Sequence, residues 1–267
     1  MMKSRQEIKS LAKEGFRHQY STGILLSVLV YVGTLGISSV LYAPGYMAML
    51  SAALYAPNDP FAILNAVLGA GALGGLTGLI SFAISLVSYV LYVNLSGAYV
   101  KLYSEEATSP VEPYTELAVN FFRKLGGYMW MILFIVLWSL LFVIPGIVKM
   151  YAYRMTPYIL ARHPEVAATE ALELSKRMTR GNKLKLFVLD LSFIGWVILS
   201  GLTLGIVGIF WAFPYMQTTY AGFFVEIRNN SLENGVIYHN ELGMDEPMNT
   251  QQPQYNDPTL PPPPPPM

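Results

Sequence analysis

The sequence predicts an all-α protein, a polytopic membrane bundle of about six transmembrane helices with short amphipathic helices on the cytoplasmic side. Three observations carry this. First, 53% of the 267 residues are hydrophobic and 13% are charged, whereas soluble domains run near a quarter charged. Second, four long stretches contain no Asp, Glu, Lys or Arg: His18 to Asn58, Pro60 to Val100, Leu125 to Val148 and Leu191 to Val225. A helix needs about 20 apolar residues to cross the hydrocarbon core, so each stretch has room for a crossing. Third, the Lys and Arg residues cluster between these stretches rather than along them.

The same composition excludes several function classes. Lys plus Arg and Asp plus Glu both number 17, so no net field attracts nucleic acid. Cysteine is absent, which removes disulfides, thiolate metal sites and cysteine nucleophiles. His18, His163 and His239 are far apart in sequence and suggest no metal ligand set. No nucleophile, base and orienting acid stand out together, so neither an enzyme nor a cofactor is expected.

Taken in order, Ser4-Arg5-Gln6-Glu7 has the capping-box pattern, followed at helical spacing by Ile8, Leu11, Ala12 and Phe16. Residues 1–20 thus read as a cytoplasmic amphipathic helix on the membrane face, leading into a membrane domain over residues 21–226. An ordinary basic flank that only sets orientation is the plainer alternative. The uncharged run is too long for a signal-peptide h-region. The first span runs from about Thr22 to Tyr42, ending at Ala43-Pro44-Gly45. The second runs from about Gly75 to Leu102. Phe61 to Gly74 is either the upper part of one long helix or a separate interfacial segment.

The third span, about Gly126 to Ile144, meets a predicted hairpin at Pro145-Gly146. Ile147 to Ala161 is apolar but carries Lys149 and Arg154, and whether it crosses decides the topology. With five spans, the cluster Arg162, Lys176, Arg177, Arg180 and Lys183 would face outward. With six it joins Lys3, Arg5, Lys9, Lys13 and Arg17, and Lys101, Arg123 and Lys124, on the cytoplasmic side, as the positive-inside rule requires. Six spans with both termini inside is the stronger reading. Spans near Leu184 to Ser200 and Leu204 to Val225 complete the set, split at Gly201 to Gly205, with Pro214 expected to kink the last.

Two surface helices are predicted between spans. One follows Pro113 through Tyr114, Leu117, Ala118 and Phe121. The other follows Pro164 through Ala167, Ala171, Leu174 and Met178, with Glu173 and Arg177 spaced as an (i, i+4) pair. After Val225 the composition turns to Asn, Gln, Asp and Pro, closing on Pro261 to Pro266. Residues 227–267 read as a disordered, cytoplasmic, proline-rich tail.

Gly69 to Gly74 fits the dinucleotide fingerprint, but no βαβ unit surrounds it. Gly71, Gly74, Gly75 and Gly78 instead have the small-xxx-small spacing that lets membrane helices approach closely. The candidate polar site consists of the charges inside the membrane, Lys149, Arg154 and Asp190, which are costly there and usually pair. At about 1.5 Å rise per residue, Arg154 lies roughly 12 Å from Arg162 and Asp190 roughly 8 Å from Lys185, so the two can meet. Lys149, just past the hairpin, can snorkel to the outer face. Such a pair is either structural or part of a substrate or proton site.

Residues 126 to 224 also carry a family pattern. Ile144-Pro145-Gly146-Ile147-Val148-Lys149 precedes Tyr151, Tyr153, Met155 and Tyr158-Ile159-Leu160-Ala161. Then come Glu170-Ala171, Ser175-Lys176-Arg177-Met178, Gly181-Asn182-Lys183, Leu191 to Trp196, and Pro214-Tyr215 with Thr218 and Ala221. This resembles the bacterial membrane proteins of domain of unknown function 975, and more distantly the membrane domain attached to some glycerophosphodiester phosphodiesterases. The resemblance implies a bacterial inner (cell) membrane protein and supplies no activity or catalytic residue. The leading functional expectation is a non-enzymatic membrane scaffold or accessory subunit. Its partners would be the lipid bilayer and a membrane protein or a second copy of this chain. The alternative is a small transporter or permease component using Lys149, Arg154 and Asp190.

Overall fold

The computed structural model describes residues 2–28 and 60–244, with Met47, Leu50, Ser51 and Leu54 between them. Most of the predicted first span, and the tail from residue 245 with its proline run, lie outside the described residues. All regular structure among the described residues is helical: α1 (Arg5–His18), α2 (Pro60–Tyr103), α3 (Glu112–Thr115), α4 (Phe121–Leu141), α5 (Val143–Ala152), α6 (Thr156–Arg162), α7 (Ala168–Met178), α8 (Lys183–Leu191), α9 (Ile194–Leu202) and α10 (Phe213–Glu233). A π-turn at Gly208–Ala212 precedes α10, and a 3-10 turn at Asn240–Leu242 follows it.

The capping box of α1 is formed in full. Ser4 Oγ accepts from the Glu7 N–H at 3.3 Å, and the Glu7 carboxylate accepts from the Ser4 N–H at 2.7 Å. Where its apolar stripe goes corrects the expectation. Ile8, Ala12 and Phe16 are fully buried and Leu11 stays exposed, because α1 lies against α10 and α2, so most of the stripe is covered by protein rather than by the membrane surface. Gly15 makes this crossing possible: a Cβ there would sit 2.8 Å from the Leu102 carbonyl oxygen.

Phe61 to Gly74 belongs to α2, a single helix of 44 residues. At 1.5 Å per residue that is about 66 Å, twice the hydrocarbon thickness, so part of it must lie outside the bilayer. Gly71, Gly74, Gly75 and Gly78 are helical within it; the helix-packing role expected of them falls outside the described residues. The C-terminal half of α2 is a core helix, with Val90, Val93, Leu95, Tyr99 and Leu102 buried against α10, α6 and α4.

α4 and α5 form an antiparallel hairpin, but its reversal is at Phe142, which is extended (φ −157°, ψ 144°). Pro145 and Gly146 occupy the first turn of α5, where the missing N–H of proline costs nothing. Gly146 lets the arms touch: a Cβ there would collide with the Ser139 side chain. The chain then returns to its starting level. Arg123, at the base of α4, donates to the carbonyls of Leu160 (2.6 Å), His163 (3.3 Å) and Val166 (2.7 Å).

Other local readings shift as well. The helix after Pro113 lasts one turn, Glu112–Thr115. Pro214 sits at the start of α10 rather than kinking a continuous α-helix. The preceding π-turn, with the Phe213 N–H bonded to the Gly208 carbonyl five residues back, makes room for its ring. α10 runs to Glu233, and the segment after it folds back with Ile237 and Leu242 buried. The packed structure therefore continues to residue 244 and not to 226. The carboxylate of Glu241 holds the Arg177 guanidinium at 2.5 and 3.1 Å, while Glu173 pairs instead with Lys176 at 3.0 Å.

Among the described residues, three stretches are long and apolar enough to cross a membrane: Phe82–Tyr103, Phe121–Leu141, and Lys183–Leu202, which is α8 and α9 joined through a turn at Ser192 and Phe193. Outward on them stand Leu133, Val136, Leu137, Leu140, Val197 and Leu202, all exposed. Exposed aliphatic rows of this length are stable only against lipid or another protein.

Candidate functional site

α5 ends at Ala152 because Pro157 lacks the N–H that would bond the Tyr153 carbonyl, and its ring would collide with that oxygen. The Thr156 N–H takes the carbonyl instead, at 3.0 Å. The break exposes backbone polar groups that α7 satisfies. Ser175 Oγ accepts from the Met155 N–H at 3.1 Å and donates to the Ala152 carbonyl at 2.9 Å. Thr179 Oγ1 donates to the same carbonyl at 3.1 Å. Ser175 and Thr179 are fully buried, so each bond replaces a group that water cannot serve.

The break turns Arg154 sideways, toward Asp190 on α8. The guanidinium makes a bidentate pair, Nη1 to Oδ2 at 2.9 Å and Nη2 to Oδ1 at 3.0 Å, the strong planar form of this interaction. Two tyrosine hydroxyls complete the carboxylate: Tyr151 donates to Oδ2 at 2.8 Å and Tyr220 to Oδ1 at 2.7 Å. The Arg154 guanidinium also lies 4.5 Å from the Tyr220 ring centroid. One carboxylate thus joins α5, the break, α8 and α10. Both charged side chains remain about a quarter exposed from the protein, at 24% and 25%.

Of the three predicted polar residues, the structure brings Arg154 and Asp190 together and leaves Lys149 apart. The Lys149 ammonium sits 4.6 Å above the Trp138 ring and 5.8 Å from that of Tyr153, where aromatic faces receive the charge. Sequence reading missed Tyr151 and Tyr220. Tyr151 stands three residues before Arg154, a spacing that shares a face on a continuous helix, and this is the signal that could have found it.

Sequence reading also missed a second polar cluster at the base of α4. Lys124 is buried, and its ammonium donates to Asn94 Oδ1 at 2.6 Å, while the Asn94 amide donates to the Pro113 carbonyl at 2.8 Å. A cavity of about 100 Å³ adjoins it, lined by Asn94, Lys101, Glu112 and Arg162. Lys101 and Glu112 form an ion pair across it. Nearby, His163 is buried, with Nδ1 3.1 Å from the Leu242 carbonyl and Nε2 without a partner among the described residues. Burial, and then the charge of Arg228, pushes its imidazole down to about 4. Glu241 is held below the usual carboxylate range by its bonds to Arg177. Among the described residues, no three His, Asp or Glu are placed to hold a metal ion.

Bare apolar helices rising from a packed, ion-paired helical body define a membrane-associated helical protein. The chain belongs to the family described as protein of unknown function, DUF975, whose family model matches residues 75–231. That range contains Arg154, Asp190, Tyr151, Tyr220 and the hairpin, and excludes α1 and the tail. No curated protein and no solved structure matches the chain.

Proposed function

We propose that this is a six-span protein of the bacterial cell membrane, with both termini cytoplasmic, that acts as a non-enzymatic scaffold or accessory subunit. The return of residues 143–162 to the level of Arg123 supports a fourth crossing, since a segment lying flat on the far surface would not come back to α4's base. The observation that carries the scaffold reading is the state of Asp190. Each of its oxygens accepts two hydrogen bonds from fixed protein donors. A carboxylate so occupied clamps helices and offers nothing to a passing substrate.

The chain has no native cysteine, so single cysteines test the topology directly. Ser4→Cys, Ser109→Cys, Thr169→Cys and Thr250→Cys should be shielded from an impermeant thiol reagent added outside, and Asn58→Cys and Thr203→Cys labelled. Outside labelling at Thr169→Cys with protection at Thr203→Cys would reject six spans. Purification of the native complex should yield a stoichiometric membrane partner or a second copy. Substrate flux in proteoliposomes that Asp190→Ala abolishes without unfolding the protein would replace scaffolding by transport.

A further inference from the structure

α1 and α8 run side by side without packing together. Lys185 Nζ lies 3.7 Å from Met2 Sδ at one end. At the other, Lys9 Nζ donates to Ser192 Oγ at 2.7 Å and stands 4.2 Å over the Phe193 ring. Between these two bridges lies an open cleft of about 770 Å³, within the size range of small-molecule sites. It exists because the apolar stripe of α1 is spent on α10 and α2, which leaves the polar flank of α1 facing α8.

The two sides of the cleft differ in kind. Leu184 and Val188 on α8, with Phe223 of α10 behind them, make an apolar wall. Leu184 is 71% exposed and belongs to the apolar stretch Lys183–Leu202, so the wall is continuous with a membrane-facing surface. The rim carries Arg5, Lys185 and Lys3. Lys3 is spoken for, its ammonium 2.7 Å from the Glu226 carboxylate, whereas Arg5 and Lys185 are exposed. A wall open to lipid beneath two cations that have no ion-pair partner among the described residues fits a molecule with an anionic head and an apolar tail. A soluble anion would leave the wall wet, and a zwitterionic lipid would leave the two cations without a net countercharge.

We propose that this cleft binds an anionic phospholipid of the cytoplasmic leaflet, its phosphate between Arg5 and Lys185 and an acyl chain along Leu184 and Val188. This tethers α1 to α8 through lipid at the point where the protein leaves the gap open. The inference rests on the topology proposed above, which puts residues 2–6 and 181–185 at the inner surface.

The test is lipid titration of the purified full-length protein in detergent, followed by native mass spectrometry, with phosphatidylglycerol against phosphatidylcholine of the same chains. Phosphatidylglycerol should bind at least tenfold more tightly. Arg5→Gln and Lys185→Gln should each weaken it about fivefold, as expected for one basic residue at an anionic membrane surface, without changing phosphatidylcholine binding or the lipid-free melting temperature. Leu184→Trp, which fills the cleft, should weaken both lipids. Equal affinity for the two lipids, or an unchanged preference in the Arg5→Gln, Lys185→Gln double variant, overturns the proposal. So does glycerol 3-phosphate competing at the lipid's own concentration, which would make this a headgroup site only. Thiol labelling at Ser4→Cys and Thr203→Cys separates the two claims: a correct topology with no lipid preference defeats the lipid site alone.

Discussion

Two of the membrane-length helices look alike in sequence and are used in opposite ways. In Phe82–Tyr103, 56% of the apolar window is buried against the protein; in Phe121–Leu141 the figure is 17%. The mean hydropathies are close, 1.5 and 1.7. The difference lies in the polar residues that accompany the apolar ones. The first helix carries Asn94, Ser96 and Tyr99 buried in its lower half, with Asn94 bonded to Lys124 and Tyr99 within 2.7 Å of the Ser27 hydroxyl. The second is aliphatic and aromatic from Tyr128 to Trp138. Hydropathy alone therefore does not tell a lipid-facing helix from a core helix; a buried amide or hydroxyl with a partner does.

The sharpest break of this comparison is a matched pair of truncations. Phe224 is fully buried and stacks on Tyr158 at 5.3 Å, so Phe224→Ala should cost about 3–5 kcal/mol of stability. Thermal unfolding in detergent measures it, and a loss under about 1 kcal/mol would mean that the packed body is not a core. Next comes the charge clamp. Arg154→Leu or Asp190→Leu alone leaves the other charge unpaired and should cost about 3 kcal/mol, at the lower end for a buried pair because both side chains keep some exposure. The double variant should recover much of the loss; additive losses would show that the two do not interact.

A smaller effect separates the two regions by pH. The folded pKa of His163, about 4, lies below its unfolded value of roughly 6.5, so the unfolded state binds the proton more readily. Stability is then complete above about pH 6.5 and falls as pH drops toward 4, by about 2 kcal/mol at pH 5. Arg123, Arg162 and Arg228 face the imidazole and oppose its charging, and Leu242 contributes only a carbonyl. His163→Gln should flatten the melting curve between pH 5 and 6.5, while the wild-type slope persists if other groups are responsible. The smallest effect is expected on the hairpin. Leu140 is 79% exposed from the protein, so Leu140→Ala should change detergent stability by less than about 0.5 kcal/mol.

Much of this architecture is legible in the residues. Periodicity and the Ser4–Glu7 box specify α1; α7 follows Pro164 as expected but starts only at Ala168, four residues beyond the proline. Gly201 to Gly205 becomes a real turn, with Leu204 and Gly205 at φ +49° and +86°. Arg154 and Asp190 lie at similar depths along their segments, which places them within reach of each other. Of the two tyrosines on Asp190, Tyr151 had only its spacing from Arg154 to mark it, and Tyr220, 30 residues from Asp190 in sequence, leaves no local signal at all. Nor was the Arg177–Glu241 pair: (i, i+4) spacing favours Glu173, but a surface pair on one helix is worth a few tenths of a kcal/mol and yields to a two-point contact with a folded-back segment. The composition change after Val225 looked like a domain boundary and is not one, since Ile237 and Leu242 suffice to pin residues 227–244 to the body.

The sequence by itself determined that the chain is helical, roughly where its long apolar helices lie, and that it has more apolar surface than a soluble fold can cover. These follow from spacing, capping and charge-free length, all local properties of the chain. Only the tertiary structure decided which apolar faces the protein itself covers: those of α1 and the lower half of α2 are packed against it, while that of α4 is left bare. Transfer out of water favours either burial about equally, so the choice rests on which side chains from distant segments arrive to fill the space and satisfy the polar groups. Arg154 shows the same division. Its charge and depth were readable along the chain, while its closure by Tyr151, Asp190 and Tyr220 required three segments to meet.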